Sequence, residues 1–104
     1  MENRYSERKP VAISVELHQG CTRFGKFKAR NISLDGMFVE ASPLNLYPGD
    51  LIEATLTVGP EATAVMYNVR AVVVHHTDEG LGLMFRDYDP ALLGFLRVLS
   101  SAAA

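Results

Sequence analysis

Apolar and polar residues alternate along much of the chain with a period of two, the pattern typical of β-strands that bury one face. The alternation is most regular in residues 11–18 and 51–58. The apolar positions of these two segments are Val11, Ile13, Val15, Leu17, Ile52, Ala54, Leu56 and Val58. We expect these side chains to line the core, with the polar residues between them facing solvent.

Glycine, proline and aspartate divide the rest of the chain into further short segments rich in β-branched and aromatic residues. A turn or loop is predicted over residues 19–25, which Gly20 and Gly25 bracket. Asp35-Gly36 predicts a turn in which Gly36 takes a positive φ that other residues resist. The further predicted strands cover residues 27–32, 37–40, 64–76 and 81–85. Six short strands at this spacing indicate a small antiparallel barrel or sandwich.

The alternation breaks in the second strand. Ala29 lies on the predicted apolar face, yet Ile32 falls on the opposite one. A β-bulge near residues 30–32 would turn Ile32 inward and leave Asn31 and Ser33 outside. Because bulges often redirect side chains beside functional sites, this segment is a candidate site.

After the strands the pattern becomes that of a helix, over residues 89–101. Asp89-Pro90 is a typical helix start, with the carboxylate as N-cap and proline at the first helical position. The apolar residues that follow share one stripe of the helix and are Leu92, Phe95, Leu96 and Leu99. We expect the helix to cover an open end or edge of the sheet. The pattern thus predicts an all-β fold with one C-terminal helix.

Composition places the chain among single-domain globular proteins. It has 104 residues, of which 48% are hydrophobic and 21% are charged. One cysteine cannot form an internal disulfide. Because no apolar run reaches membrane length and no signal sequence is recognisable at the N-terminus, we expect a cytoplasmic protein with no membrane span.

The net charge of −2 conceals an uneven distribution. Residues 1–30 contain seven basic and three acidic residues, a net charge of +4, whereas residues 31–104 carry −6. A basic first third on an acidic body indicates an anionic partner.

Two short motifs carry chemistry suited to such a partner. Arg4 and Arg8 form an Arg-x-x-x-Arg motif ahead of the first strand, and guanidinium groups bind phosphate or the guanine edge in bidentate fashion. Asn31, Ser33 and Gly36 form an Asn-x-Ser-x-x-Gly motif. Asn31 and Ser33, two residues apart on extended backbone, project to one side, where an amide and a hydroxyl can bind a base edge or a phosphate.

The two motifs, in this order and about 25 residues apart ahead of further strands, resemble the PilZ domain family. The resemblance extends over roughly residues 4–100. It includes Pro48-Gly49-Asp50 before a strand, the strand Gly80-Leu81-Gly82-Leu83-Met84-Phe85 and the terminal helix. It implies a six-stranded antiparallel β-barrel and a stand-alone bacterial receptor for the second messenger cyclic di-GMP. We accordingly divide the chain into a flexible N-terminal arm at 1–9, a β-barrel at 10–88 and a helix at 89–101.

The resemblance also implies roles for individual residues. Arg4 and Arg8 would bind the guanines and phosphates. Asn31 would hydrogen-bond a guanine, and Ser33 would contact phosphate or guanine. Gly36 would keep the surface clear for the ligand. Ordering of the arm by the ligand would then change what a downstream protein partner binds.

Two residues depart from the family pattern. Many members have a second arginine at the start of the first motif, where this chain has Tyr5. Many members also have glycine at the position of Asp35. Both departures reduce the attraction for a dianionic ligand without touching a defining position.

Two other functions remain open. The first is a small barrel that binds single-stranded nucleic acid through the basic residues Lys26, Lys28 and Arg30 and the aromatic residues Phe24 and Phe27. The resemblance makes nucleic acid the less favoured partner. The other function is a ligand-independent protein-interaction module. No nucleophile, base or metal cluster is assembled in the sequence, so we expect neither an enzyme nor a metal site or cofactor.

Overall fold

The computed structural model of the chain describes residues 13–87 and 89–102; the predicted arm at 1–9 and Val11 lie outside them. The elements are strands β1 (Ile13–Gln19), β2 (Thr22–Ile32), β3 (Gly36–Glu40), β4 (Leu51–Val58), β5 (Val65–Thr77) and β6 (Gly80–Asp87), a 3₁₀ turn (Glu61–Thr63) and helix α1 (Pro90–Ala102). All six strands pair antiparallel in one closed barrel with the order β1-β2-β3-β6-β5-β4. The expected six-stranded barrel with a C-terminal helix is therefore confirmed. The alternative of a β-sandwich is wrong, because the sheet is closed.

The core is filled by the inward-facing side chains of the strands. Ile13, Val15 and Leu17 of β1 are at most 2% exposed. Alternate residues of β4 are buried in the same way, with Val58 partly buried at its end. Leu46, from the segment between β3 and β4, also lies in this core. The predicted alternation is thus confirmed in the described parts of both strands.

A turn connects β1 and β2, but it is shorter than the predicted turn or loop over residues 19–25, so the predicted extent is wrong. β2 begins at Thr22, so only a two-residue turn separates the strands. Gly20 takes a φ of 61° there, as the first position of so short a hairpin requires. Phe24 is the extra residue of a β-bulge, beside Gly25 with a φ of 124°. Gly25 therefore belongs to a bulged strand and not to a loop.

Strands β3 and β6, which are distant in sequence, meet along a seam where their backbones nearly touch. A Cβ atom at Gly36 would lie 2.0 Å from the carbonyl oxygen of Leu83. A Cβ atom at Gly80 would lie 1.9 Å from that of Val39. No side chain fits at these distances, so glycine at both positions allows the barrel to close here.

Helix α1 starts where the sequence predicts. The Asp89 carboxylate accepts a hydrogen bond from the backbone N–H of Ala91 at 3.0 Å, as an N-cap does. Leu92 and Leu96 are at most 1% exposed, and Phe95 stacks on a tyrosine of β5 with ring centroids 5.2 Å apart. Because the closed barrel has no free edge, the helix meets the core at an open end. Within the described residues, no helix is long and apolar enough to cross a membrane.

Two glycine-to-alanine variants test this packing in opposite directions. Gly80→Ala should lower the free energy of unfolding by about 3 kcal/mol, because its methyl group would overlap the Val39 carbonyl. Gly94→Ala, in the exposed part of α1, meets nothing within 4 Å and should raise it by about 0.5–1 kcal/mol. Urea denaturation of both variants and the parent measures the differences. A Gly80→Ala protein as stable as the parent would contradict the close seam.

Candidate functional site

The predicted bulge in β2 is present and sets the geometry of the site. Ala29 pairs with Val39 and Asn31 with Phe38, so Arg30 is the extra residue. The extra residue turns Ile32 into the core, where it is 3% exposed. It leaves Asn31 on the outer surface, partly exposed. The expectation drawn from the broken alternation is confirmed.

Ser33 organises the turn that follows. Its backbone N–H donates to the carbonyl of Gly36 at 2.9 Å. Its hydroxyl donates to the same carbonyl at 3.4 Å and accepts from the N–H of Asp35 at 3.3 Å. Both hydroxyl bonds are long, and the side chain is partly exposed. The hydroxyl can therefore exchange these partners for a ligand at little cost to the turn.

Gly36 does not have the backbone conformation that the sequence predicts. The positive-φ glycines among the described residues do not include it, so the expected positive φ is wrong. Gly36 is instead the buried first residue of β3, facing Met84 across the seam. Glycine is needed because the Leu83 carbonyl occupies the space that a Cβ would take. Gly36 therefore places no side chain beside Asn31 and Ser33.

Arg30 is not an available cation, although the sequence counts it among the basic residues of the first third. Its Nε donates to Glu40 at 2.9 Å and its Nη1 to Glu79 at 3.1 Å. The guanidinium also lies over the ring of Phe38, 4.7 Å from the centroid. The hydrogen bonds to Glu40 and Glu79 raise the pKa of Arg30. Its charge is therefore balanced by two carboxylates.

The basic and aromatic surface considered for nucleic acid is partly engaged in contacts within the protein, as is the neighbouring Arg23. Arg23 forms an ion pair with Glu16, and the hydrogen bond between them lowers the pKa of the Glu16 carboxyl. Phe24 and Phe27 pack partly buried against the core. Their rings do not stand free for bases to stack on, as a single-strand binding surface requires.

A shallow groove of about 220 Å³ adjoins the Asn-x-Ser-x-x-Gly turn. The residues that line it include two glycines, Gly36 and Gly82, together with Phe38, His75 and Met84. Sequence reasoning missed His75 and this use of Gly82. A glycine at an outward-facing position inside a strand was the available signal, because such glycines often mark close approach of a ligand or another backbone.

The structure brings Asn31, Ser33 and Gly36 together at one end of the β2–β3 hairpin. The other two predicted site residues, Arg4 and Arg8, lie outside the described residues. Over residues 13–87 and 89–102, no three histidine, cysteine, aspartate or glutamate side chains are grouped to hold a metal ion.

Comparisons with known proteins relate the chain to one family. A family model described as PilZ domain matches residues 2–100. The fold is similar to that of the Bacillus subtilis inhibitor of motility (MotI/DgrA), with a TM-score of 0.72 and 17% sequence identity. That match covers 98% of this chain and 53% of the Bacillus protein, so the chain spans about half of its length.

A second solved structure is similar along its whole length. It is the PilZ domain of CeSA from a cellulose-synthesizing bacterium, with a TM-score of 0.64 and 15% identity. The match covers 94% of this chain and 98% of that domain. Among curated proteins, none matches the chain.

Two variants in the turn separate its packing from its surface chemistry. Gly36→Ala should lower the free energy of unfolding by about 3 kcal/mol, because the methyl group would overlap the Leu83 carbonyl. Ser33→Ala should lower it by less than about 1 kcal/mol, since it removes only two long, partly exposed hydrogen bonds. Urea denaturation without ligand measures both. A stable Gly36→Ala protein would refute the steric role of Gly36.

Proposed function

The chain belongs to the PilZ domain family, whose members are binding and effector modules, and we propose that it is a receptor for cyclic di-GMP. The observation that carries the proposal is the turn at the end of β2. There the partly exposed side chains of Asn31 and Ser33 present an amide and a hydroxyl beside Gly36, which is buried and has no side chain. These groups can bind the polar edge of a guanine and a phosphate oxygen.

The charges of the described surface support a role for the two arginines ahead of β1. Cyclic di-GMP carries two phosphates, and Arg30, next to Asn31 in sequence, is already balanced by Glu40 and Glu79. Arg30 alone therefore does not balance the two phosphates. Arg4 and Arg8 supply two guanidinium groups, which bind phosphate and guanine with charge-assisted hydrogen bonds.

In the proposed mechanism the ligand joins the two motifs. Binding brings Arg4 and Arg8 against the barrel surface beside Asn31 and Ser33, with the cyclic dinucleotide between them. The contact neutralises the basic arm and presents a new surface, which a downstream protein partner distinguishes from the ligand-free one. Such coupling of ordering to binding lowers affinity and supplies a switch.

Substitution of the predicted contacts tests the site. Arg8→Ala should weaken cyclic di-GMP binding about ten- to a hundred-fold, because a charge-assisted contact is worth about 1.5–3 kcal/mol. Arg4→Ala should weaken it somewhat less, and Asn31→Ala and Ser33→Ala should weaken it without unfolding the barrel. Isothermal titration calorimetry measures each affinity. Arg97→Ala, on the exposed side of α1, is the matched control and should bind as the parent does.

The parent protein should also discriminate between ligands. It should saturate with cyclic di-GMP at low micromolar concentration or better, and bind neither GTP nor a single-stranded oligonucleotide comparably. Preference for the oligonucleotide would favour the nucleic-acid alternative. No binding to any of the three would favour a ligand-independent interaction module.

The proposed coupling has its own test. Backbone NMR order parameters of residues 1–9 should rise when cyclic di-GMP saturates the protein, because Arg4 and Arg8 become fixed against the barrel. Order parameters that are equal with and without ligand would contradict the proposed switch, even if the ligand binds.

A further inference from the structure

Arg30 lies beside the candidate site and contacts two carboxylates through different nitrogens of its guanidinium group. It is the extra residue of the β2 bulge and immediately precedes Asn31. The guanidinium lies over the ring of Phe38, the residue that pairs with Asn31 across β2 and β3. Its Nε donates to Glu40 and its Nη1 donates to Glu79. The arginine is therefore next to the Asn-x-Ser-x-x-Gly turn, with two of its three nitrogens engaged.

The two carboxylates differ in how firmly they are held. Glu40 belongs to β3, and its side chain is 42% exposed. Glu79 belongs to the turn between β5 and β6, and its side chain is 70% exposed. Exposed ion pairs are weak and are screened by salt. Glu79 is therefore the partner that Arg30 exchanges most easily.

The turn that carries Glu79 does not depend on the carboxylate of that residue. The backbone N–H of Glu79 donates to the hydroxyl of Thr77 at 3.1 Å, and its carbonyl accepts from the N–H of Ala41 at 3.0 Å. The N–H of Gly80 donates to the same hydroxyl at 3.2 Å. The Glu79 side chain can therefore leave Arg30 while the backbone of the turn stays in place.

The terminal edge of the guanidinium suits a phosphate. A guanidinium group has five N–H donors, and its two terminal nitrogens, Nη1 and Nη2, together bind a phosphate in bidentate fashion. Glu40 contacts Nε and lies outside this pair, whereas Glu79 contacts Nη1. A phosphate bound to both terminal nitrogens would therefore displace Glu79 and leave Glu40 in place.

We propose that binding of cyclic di-GMP exchanges one partner of Arg30: a ligand phosphate replaces the Glu79 carboxylate, while Glu40 keeps the guanidinium in position. The inference rests on the proposed function. It makes Arg30 a third arginine at the phosphates, in addition to Arg4 and Arg8. It also leaves Glu79 unpaired on the turn between β5 and β6. The ligand thereby changes the charge of a surface on the barrel itself, where a basic segment of a downstream protein can recognise the freed carboxylate.

Removal of the competing carboxylate tests the exchange. One guanidinium and the two carboxylates of Glu40 and Glu79 give a net charge of −1, which repels a dianionic ligand. Glu79→Gln should strengthen binding about two- to fivefold, because the amide oxygen still accepts from Nη1 but carries no charge. Asp78→Asn is the matched control, since it removes the same charge from the same turn without a contact to Arg30. It should change the affinity less than about 1.5-fold by isothermal titration calorimetry.

A double-mutant cycle connects this effect to Arg30. Arg30→Met keeps an unbranched side chain but has no donors, so it should weaken binding at least about threefold. In the Arg30→Met background, Glu79→Gln should strengthen binding no more than Asp78→Asn does. Arg97→Met, on the exposed side of α1, is the control for the loss of an arginine and should bind as the parent does. Urea denaturation checks that each variant is folded.

The unsubstituted protein gives an independent readout. On saturation with cyclic di-GMP, the NMR signals of the Glu79 carboxyl carbon and of the Arg30 Nε–H group should shift, while the Asp78 carboxyl carbon stays in place. Suppose that the parent binds cyclic di-GMP and Ser33→Ala weakens it. If Glu79→Gln then binds no better than Asp78→Asn, or the Glu79 signal does not move, the exchange is overturned and the receptor function stands. If the parent does not bind, both are overturned.

Discussion

The close approach of β3 and β6 is the constraint on which the rest of the structure depends. These strands close the barrel, and each places a glycine where the other's backbone passes. Both glycines follow the same kind of turn: the hydroxyl of Ser33 accepts a hydrogen bond from Asp35 N–H, and that of Thr77 accepts one from Glu79 N–H. The glycines at the seam, Gly36 and Gly80, thus combine a tight turn with close packing. The candidate site lies on the outer surface of this seam, held by the same contacts that close the fold.

Some basic side chains on the described surface are already paired with carboxylates. Glu16 balances Arg23, and Glu40 and Glu79 balance Arg30. The basic side chains of the first thirty residues are therefore partly compensated by carboxylates, one from β3 and one from the turn between β5 and β6. This compensation supports the proposal that the arginines ahead of β1 bind the phosphates.

Much of the fold follows from local patterns. The period-two alternation, the Asp89 N-cap and the bulge that turns Ile32 inward are all determined by residues close together in sequence. The role of Gly36 could not be inferred in that way, because the Leu83 carbonyl that excludes a Cβ belongs to a strand far along the chain. A local turn preference suggested a positive φ instead. The groove was missed for the same reason, since the bulge that directs His75 outward is visible only once β5 and β6 are paired.

The most direct test is amide chemical-shift mapping of the chain during titration with cyclic di-GMP. The account predicts saturable shifts at residues 31–36 and at Gly82, with the outer face of β1 and β4 unchanged because it lies across the barrel. Saturable shifts confined to β1 and β4, or no saturable shifts at all, would contradict the assignment of the seam surface as the binding site.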